Sequence, residues 1–373
     1  MLKAVTTFLC AASLACAADG IRVERDGHFW KVQVSGTIPT SLTRIVAQSD
    51  LQVRGTRPAT TSYIVAARVN ATSEAQARQF AQGLATLRVN GGVAIFGGPG
   101  HVQVDIPRST RRLSLASEEG DVDAADIEGS VAAQTVAGRI TLDRISGDVE
   151  VRSSGGPVSL GKIGGAVRCY SGGGGIRAIR LDRQALFESS GGDIVVGEVR
   201  GPIRAITLGG GIRIDQAGSQ VFAGTSGGPI AILRAMGLVV AQTSAGPIEI
   251  GSAPSVECQT GGGTIRLSNM SGAMRATTDR GTVIAQVIAG RPLTDSFLAT
   301  AAGDIIVILP SDIGVTVDAE TSGTRMTSAI VSDYPGLQSV SGRSTVTARG
   351  AINGGGPKLR LRAAEGRIEI RRK

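Results

Sequence analysis

Ser189-Ser190-Gly191-Gly192-Asp193-Ile194-Val195-Val196 is followed by Thr207-Leu208-Gly209-Gly210-Gly211-Ile212-Arg213-Ile214 and then by Thr225-Ser226-Gly227-Gly228-Pro229-Ile230-Ala231-Ile232. The three segments are one motif, [ST]-x-x-G-x-[VI]-x-φ, with φ apolar. Its glycine recurs at 120, 138, 156, 174, 192, 210, 228, 246, 263, 281 and 303, a spacing of 18 held seven times and then 17, 18 and 22. Every copy carries a hydroxyl three residues before the glycine and Val or Ile two residues after it.

β-Branched residues suit a pleated strand. The next apolar position is two further on, as in Leu142, Val196 and Ile250. The residues between include Asp123, Arg177, Arg213, Glu249 and Arg266. That is period two, one face inward and one outward. A half-repeat nine residues on (Gly129, Gly147, Gly165 and Gly201, each followed by Val or Ile) adds a second strand to each copy.

A fixed period with two strands per copy and no helical pattern between them predicts an all-β fold, a single-chain parallel β-solenoid (β-helix) with coils of about 18 residues. One coil cannot bury its apolar side alone, so stacking is obligatory. About eleven coils at a strand spacing of ~4.8 Å would extend on the order of 50 Å. Glycine at the corners would permit close backbone approach and positive φ, and the Ser/Thr column would hydrogen-bond from coil to coil.

Outside the motif the chain falls into four parts. Residues 1–17 read as a secretory signal, with Lys3, an apolar run to Leu14 and a small-residue exit, which places the protein as exported: periplasmic, cell-surface or secreted. Lipoprotein anchoring through Cys16 is the minor alternative. Residues 18–116 form an irregular β region, with strands expected around Phe29–Val34, Ile45–Ala47, Leu51–Gly55 and Tyr63–Val69. A capping helix is expected over about 74–86, with Ser73 and Gln76 as a capping box and Ala77, Phe80, Ala81 and Leu84 on one face. Val93 to Pro107 reads as a hairpin or a bent coil edge. Residues 117–323 hold the regular repeats, the last copy at Val315–Ala319. Residues 324–373 read as a loop up to 357, then a closing coil over Leu359–Ile370 with a basic tail.

The motif resembles the DUF4097 "putative adhesin" family of bacterial β-solenoid domains, which is related to the GIN head domain. Ser189–Ile194, Thr225–Ile230 and Leu359–Ile370 carry the resemblance, and residues 117–323 follow it closely. It implies the solenoid fold and an adhesin-like role at a surface, without naming a ligand or a catalytic residue.

Candidate chemistry is sparse. The two histidines, His28 and His101, lie 73 residues apart outside the array, which leaves a Ser-His-Asp site or a histidine metal site without material. Asp121, Asp148, Asp193 and Asp304 follow the glycines in some copies, but Pro157, Pro202, Pro229 and Pro247 fill the slot in others, which excludes a regular calcium ladder. Asp123, Glu150 and Glu249 sit on distant coils and make no acidic cluster of the kind a polysaccharide lyase uses. No catalytic, cofactor or metal residue is expected. Cys169 and Cys258 should lie five coils apart, about 24 Å, and stay free thiols.

The formal net charge is +8 and aromatics make up 3% of the chain, too few to stack bases, so nucleic acid is not the expected partner. Two sets of outward residues are candidates: Leu186, Val195, Phe222 and Val240 as a partner face, joined by Ile284 and Ile306, and Arg168, Arg177, Arg204 and Arg213 as a face for an anionic ligand, either polysaccharide or lipid. The sequence therefore points to a non-catalytic exported interaction or scaffold module of the cell envelope, whose partner is an envelope protein or an anionic surface. A self-assembling rod of the bactofilin kind and a polysaccharide-active enzyme are the alternatives. No segment is long enough for a transmembrane helix, and the oligomeric state stays open.

Overall fold

The computed structural model describes residues 20–39, 41–84, 86–291, 293–322 and 329–373. The expected signal and Cys16 lie outside them. Among the described residues the regular structure is β apart from one helix, a parallel β-solenoid with coils of about 18 residues. It divides into two compact units, Met1–Gly165 and Ala166–Lys373.

In the first unit each coil gives one strand to each of two sheets. The strand after the motif glycine builds the motif sheet, where Val122 pairs in register with Ile140 and Ile140 with Val158. The half-repeat builds the other sheet, where Val131 pairs with Val149. Inward side chains stack on their own kind, and Val122, Ile140 and Val158 are at most 1% exposed. Period-two patterning turns Asp123, Thr141 and Ser159 outward.

Coil order departs from chain order at the N-terminal end. Strands Arg44–Ala47 and Leu51–Thr56 form the coil next to the first motif copy, with Ile45 opposite Leu115 and Leu51 opposite Val122. Their other side pairs with Val93–Gly97 and His101–Pro107, so the coil that comes later in sequence lies further out. Those last two strands occupy different sheets, which makes the segment a bent coil edge and excludes a hairpin. Thr61–Val69, Phe29–Ile38 and Gly20–Asp26 then add antiparallel strands to the motif sheet.

Helix α1, Glu74–Leu84, packs on those three strands and buries Ala77, Ala81 and Leu84. Ser73 Oγ accepts the Gln76 N–H at 3.2 Å, while the Gln76 carboxamide oxygen accepts the Thr72 N–H at 2.8 Å. The capping box is thus closed one residue early. Phe80 is half-exposed at 50%, at the border of the buried stripe and not within it.

In the second unit one inward column runs Ile176, Ile194, Ile212, Ile230, Ile248, Ile265, Val283, Ile305 and then Ile368. The step from Ile305 to Ile368 is out of sequence order. Ser296–Ala302 pairs with Lys358–Glu365, and Lys358–Glu365 pairs on its other side with Val315–Ser322. The chain's last coil is therefore intercalated, and Val315–Ser322 does not stack directly on the coil before it. The expected loop over 324–357 carries strands Ile330–Ser332, Ser339–Ser341 and Thr345–Ile352, the last antiparallel to Val315–Ser322. Residues 324–328 of that expected loop lie outside the described residues.

A repeated clasp shapes the corners. Thr225 Oγ1 donates to the Gly210 carbonyl of the preceding coil at 2.8 Å and accepts the Gly228 N–H of its own corner at 3.3 Å. Thr207, Thr243 and Thr260 do the same. A Cβ on Gly228 would stand 2.1 Å from the Gly210 oxygen. Close approach therefore explains most corner glycines, and among the motif glycines positive φ applies to Gly281, Gly303 and the closing Gly366.

Candidate interaction surface

Outward residues on the half-repeat sheet of the second unit fall into one line. Arg168 is opposite Leu186, Leu186 opposite Arg204, Arg204 opposite Phe222 and Phe222 opposite Val240. Five of the ten outward residues singled out in the sequence stand together there. The sequence pattern puts them on two separate faces, whereas the fold interleaves them along one.

The line is the floor of a furrow of about 480 Å³, with Gln184, Pro202, Gln220 and Leu238 along its rim. Arg168 and Arg204 project into solvent, while Leu186, Phe222 and Val240 are half-buried. The Arg204 guanidinium lies 4.0 Å from the centroid of the Phe222 ring, a cation–π contact that holds both in place. Gly224, two residues along the same strand, lies beside that ring, and a Cβ there would make ordinary van der Waals contact with it at 3.4 Å. Among the described residues neither Arg168 nor Arg204 is in a salt bridge, so both charges are free for a ligand.

Arg177, Val195 and Arg213 occupy the motif sheet instead, in register with each other. Arg213 is paired there with Asp215 at 2.9 Å. Ile284 and Ile306 continue the outward line of that sheet, opposite one another.

Sequence reasoning missed the carboxamides of Gln184 and Gln220, and it missed a second copy of the stacked pair. Arg275 lies 5.9 Å over the Phe297 ring in a smaller furrow of about 290 Å³, with Glu257, Asp295 and Arg360 beside it. The signal was available, because all of these residues keep the half-repeat register. Acids in this second furrow offset much of its charge, which makes the first the stronger candidate.

The first unit holds a larger cleft, about 1130 Å³, between α1 and Thr61–Val69, lined in part by Lys31, Phe80 and Leu84. Arg68 is paired there with Asp26 at 2.7 Å and His101 Nδ1 faces Asp50 at 3.9 Å, while Lys31 is in no salt bridge among the described residues. His28 is exposed at a turn. Asp123 and Glu150 stand on different sheets of this unit, and Glu249 belongs to the other unit. Among the described residues no three His, Cys, Asp or Glu side chains converge, and no helix is long and apolar enough to cross a membrane.

No family model matches the chain, and no curated protein matches it. The resemblance to DUF4097 thus rests on the motif alone. Solved structures with likeness to it include a "putative cell adhesion protein" from Clostridium sporogenes ATCC 15579, at 9% identity and TM-score 0.18, covering 91% of this chain and 99% of that one. A "putative adhesin" from Bacteroides fragilis NCTC 9343 aligns at 10% identity and TM-score 0.19, covering 91% and 97%. Another from Parabacteroides distasonis ATCC 8503 aligns at 11% and 0.18, covering 90% and 96%. Values this low carry no argument about what the chain does.

Proposed function

We propose that this protein is a non-catalytic, exported, adhesin-like module of the cell envelope that works by contact, with the furrow along Arg168, Leu186, Arg204, Phe222 and Val240 as its contact surface. One observation supports this above all: residues spread over 73 positions of sequence meet in a single concave line that joins unpaired cations to half-buried apolar side chains. Surfaces of that composition mark interaction sites.

Self-assembly end to end has less support. A bare parallel coil edge would be needed, but in the first unit the outermost described strand of the motif sheet is the antiparallel, charge-rich Gly20–Asp26. In the second the antiparallel strand Thr345–Ile352 lies outside the last parallel pairing of the half-repeat sheet, leaving the three-residue strand Ile330–Ser332 as parallel edge of the other.

The test is retention of the mature chain on isolated envelopes. The double substitution Arg204→Glu with Phe222→Ala is expected to reduce retention at least tenfold while the thermal unfolding midpoint changes little. Undiminished retention by a folded double variant would remove the furrow from the proposal.

A further inference from the structure

Resting on the contact reading of the furrow, we infer that its ligand is an extended polysaccharide in which acidic and neutral sugars alternate. Over four coils, before Val240 ends the pattern, the furrow alternates with the same period. Arg168 occupies one coil, Leu186 with Gln184 the next, Arg204 the third, and Phe222 with Gln220 the fourth. The two arginines thus stand two coils apart, with their backbone positions about 10 Å from one another at a strand spacing of ~4.8 Å, which is the length of one disaccharide in an extended chain. The coils between them pair an apolar side chain with a carboxamide at the rim.

Each element matches a part of such a polymer. Guanidinium binds a carboxylate or sulfate bidentately, more selectively than an ammonium would. Leu186 and the part of Phe222 that Arg204 leaves uncovered offer apolar surface to the C–H faces of a neutral pyranose, and Gln184 and Gln220 offer donors and acceptors to its hydroxyl or acetamido groups. Stacking on Phe222 fixes the Arg204 head before the ligand arrives, which lowers the ordering cost of binding.

Other polyanions fit less well. An acidic peptide added as a strand needs a free sheet edge, whereas this furrow crosses strands whose backbone groups already pair with their neighbours. Anionic lipid is drawn to clusters of four to eight basic residues, and this furrow presents two, in a concave line.

Titration calorimetry on the mature chain with hyaluronan oligosaccharides, polygalacturonate, dextran and phosphatidylglycerol vesicles tests the inference. Hyaluronan oligosaccharides are expected to bind, with affinity rising until two disaccharides are reached and then levelling. Arg204→Gln should weaken binding at least tenfold, and the exposed pair Gln184→Ala with Gln220→Ala, which leaves the core untouched, about threefold or more. Dextran should not bind. Equal affinity for polygalacturonate, or indifference to the glutamine pair, would reveal a site that reads charge alone and overturn the alternation. Binding to vesicles with none to polysaccharide would overturn the ligand class and leave the contact reading standing. No binding to any probe, together with envelope retention insensitive to Arg204 and Phe222, would sink both.

Discussion

Gly246 and Gly227 have the same side chain and opposite tolerance for a larger one. A Cβ on Gly246 would stand 1.9 Å from the Gly228 oxygen of the preceding coil, whereas Gly227 has nothing within 4 Å. Gly246→Ala should lower stability by about 1–3 kcal/mol, the usual cost of overpacking. Gly227→Ala should be neutral or gain up to ~1 kcal/mol by narrowing the unfolded ensemble. Thermal unfolding of the two variants side by side checks this. Thr225→Val, which deletes both arms of a buried corner clasp, should cost roughly 1–3 kcal/mol. The aspartates in the slot after the glycine, and Asp50 in the equivalent place after Ser49, gain an explanation at this scale too. Asp50, Asp121, Asp193 and Asp304 each accept, at 2.7–2.9 Å, the backbone N–H of the slot residue in the next coil: Asp121, Arg139, Gly211 and Arg367. Arg139, Gly211 and Pro229 instead precede the slot prolines Pro157, Pro229 and Pro247, which have no N–H to give. The mixture of Asp and Pro that argued against calcium is a hydrogen-bonding rule read one coil at a time. Cys169 and Cys258 are buried free thiols on one inward column, five coils apart. Burial, with the nearby Glu257 charge adding to it, pushes Cys258 up to about 12, and burial raises Cys169 as well. Both should resist thiol reagents at pH 8 until the chain unfolds, and labelling of either in the native state would contradict the buried column.

Among the elements, the intercalated coil Lys358–Glu365 and Ile368–Arg372 carries the strongest consequence. It is the parallel neighbour of Ser296–Ala302 and Ile305–Leu309 on one side and of Val315–Ser322 and Ile330–Ser332 on the other. Thr321 Oγ1 reaches the Gly366 carbonyl at 2.9 Å, and a Cβ on Gly366 would stand 2.0 Å from the Gly303 oxygen, so this coil continues both the hydroxyl and the glycine columns. Deleting residues 358–373 should do more than fray an end. Amide exchange is expected to lose protection over 315–352, while strands before Ala276 keep theirs. Retained protection over 315–352 would contradict the intercalation. Asp318 ties the same region together. Its carboxylate accepts Arg362 at 2.8 Å and Arg349 at 3.1 Å, joining three strands, and these hydrogen bonds, that of Arg362 foremost, hold its pKa below the ordinary carboxylate range. A depressed folded pKa stabilises above the unfolded value of about 3.9 and loses that contribution as pH falls from there through the folded value. Asp318→Asn should therefore cost about 1 kcal/mol at pH 7, the modest figure set by partial solvent exposure, and should shrink the loss of stability on acidification below pH 4, as followed by chemical denaturation at both pH values.

For the molecule as a whole, the +8 charge and the free Arg168 and Arg204 predict that contact with anionic surfaces weakens as salt rises, since screening sets in within about 10 Å at 0.1 M. A part carried by Leu186 and Phe222 should persist at high salt, and retention measured across a salt series separates the two. Sequence alone determined the period, the inward Val and Ile columns, the paired strands of each coil and the place of glycine at the corners. All of these follow from a rule that relates a residue to its counterpart 18 positions away, and such a rule is written in the chain. Tertiary structure alone decided which coils are neighbours at the two termini and which outward residues share a furrow. Any coil with the right register can stack on any other, because hydrogen-bonded ladders and apolar columns do not depend on chain order. The segment 44–56 and the segment 358–372 therefore took inner places that a linear reading assigns elsewhere. Arg204 and Arg213 show the second limit. Both are outward at alternate strand positions, and only the assignment of their strands to two different sheets sets one over Phe222 and the other beside Asp215.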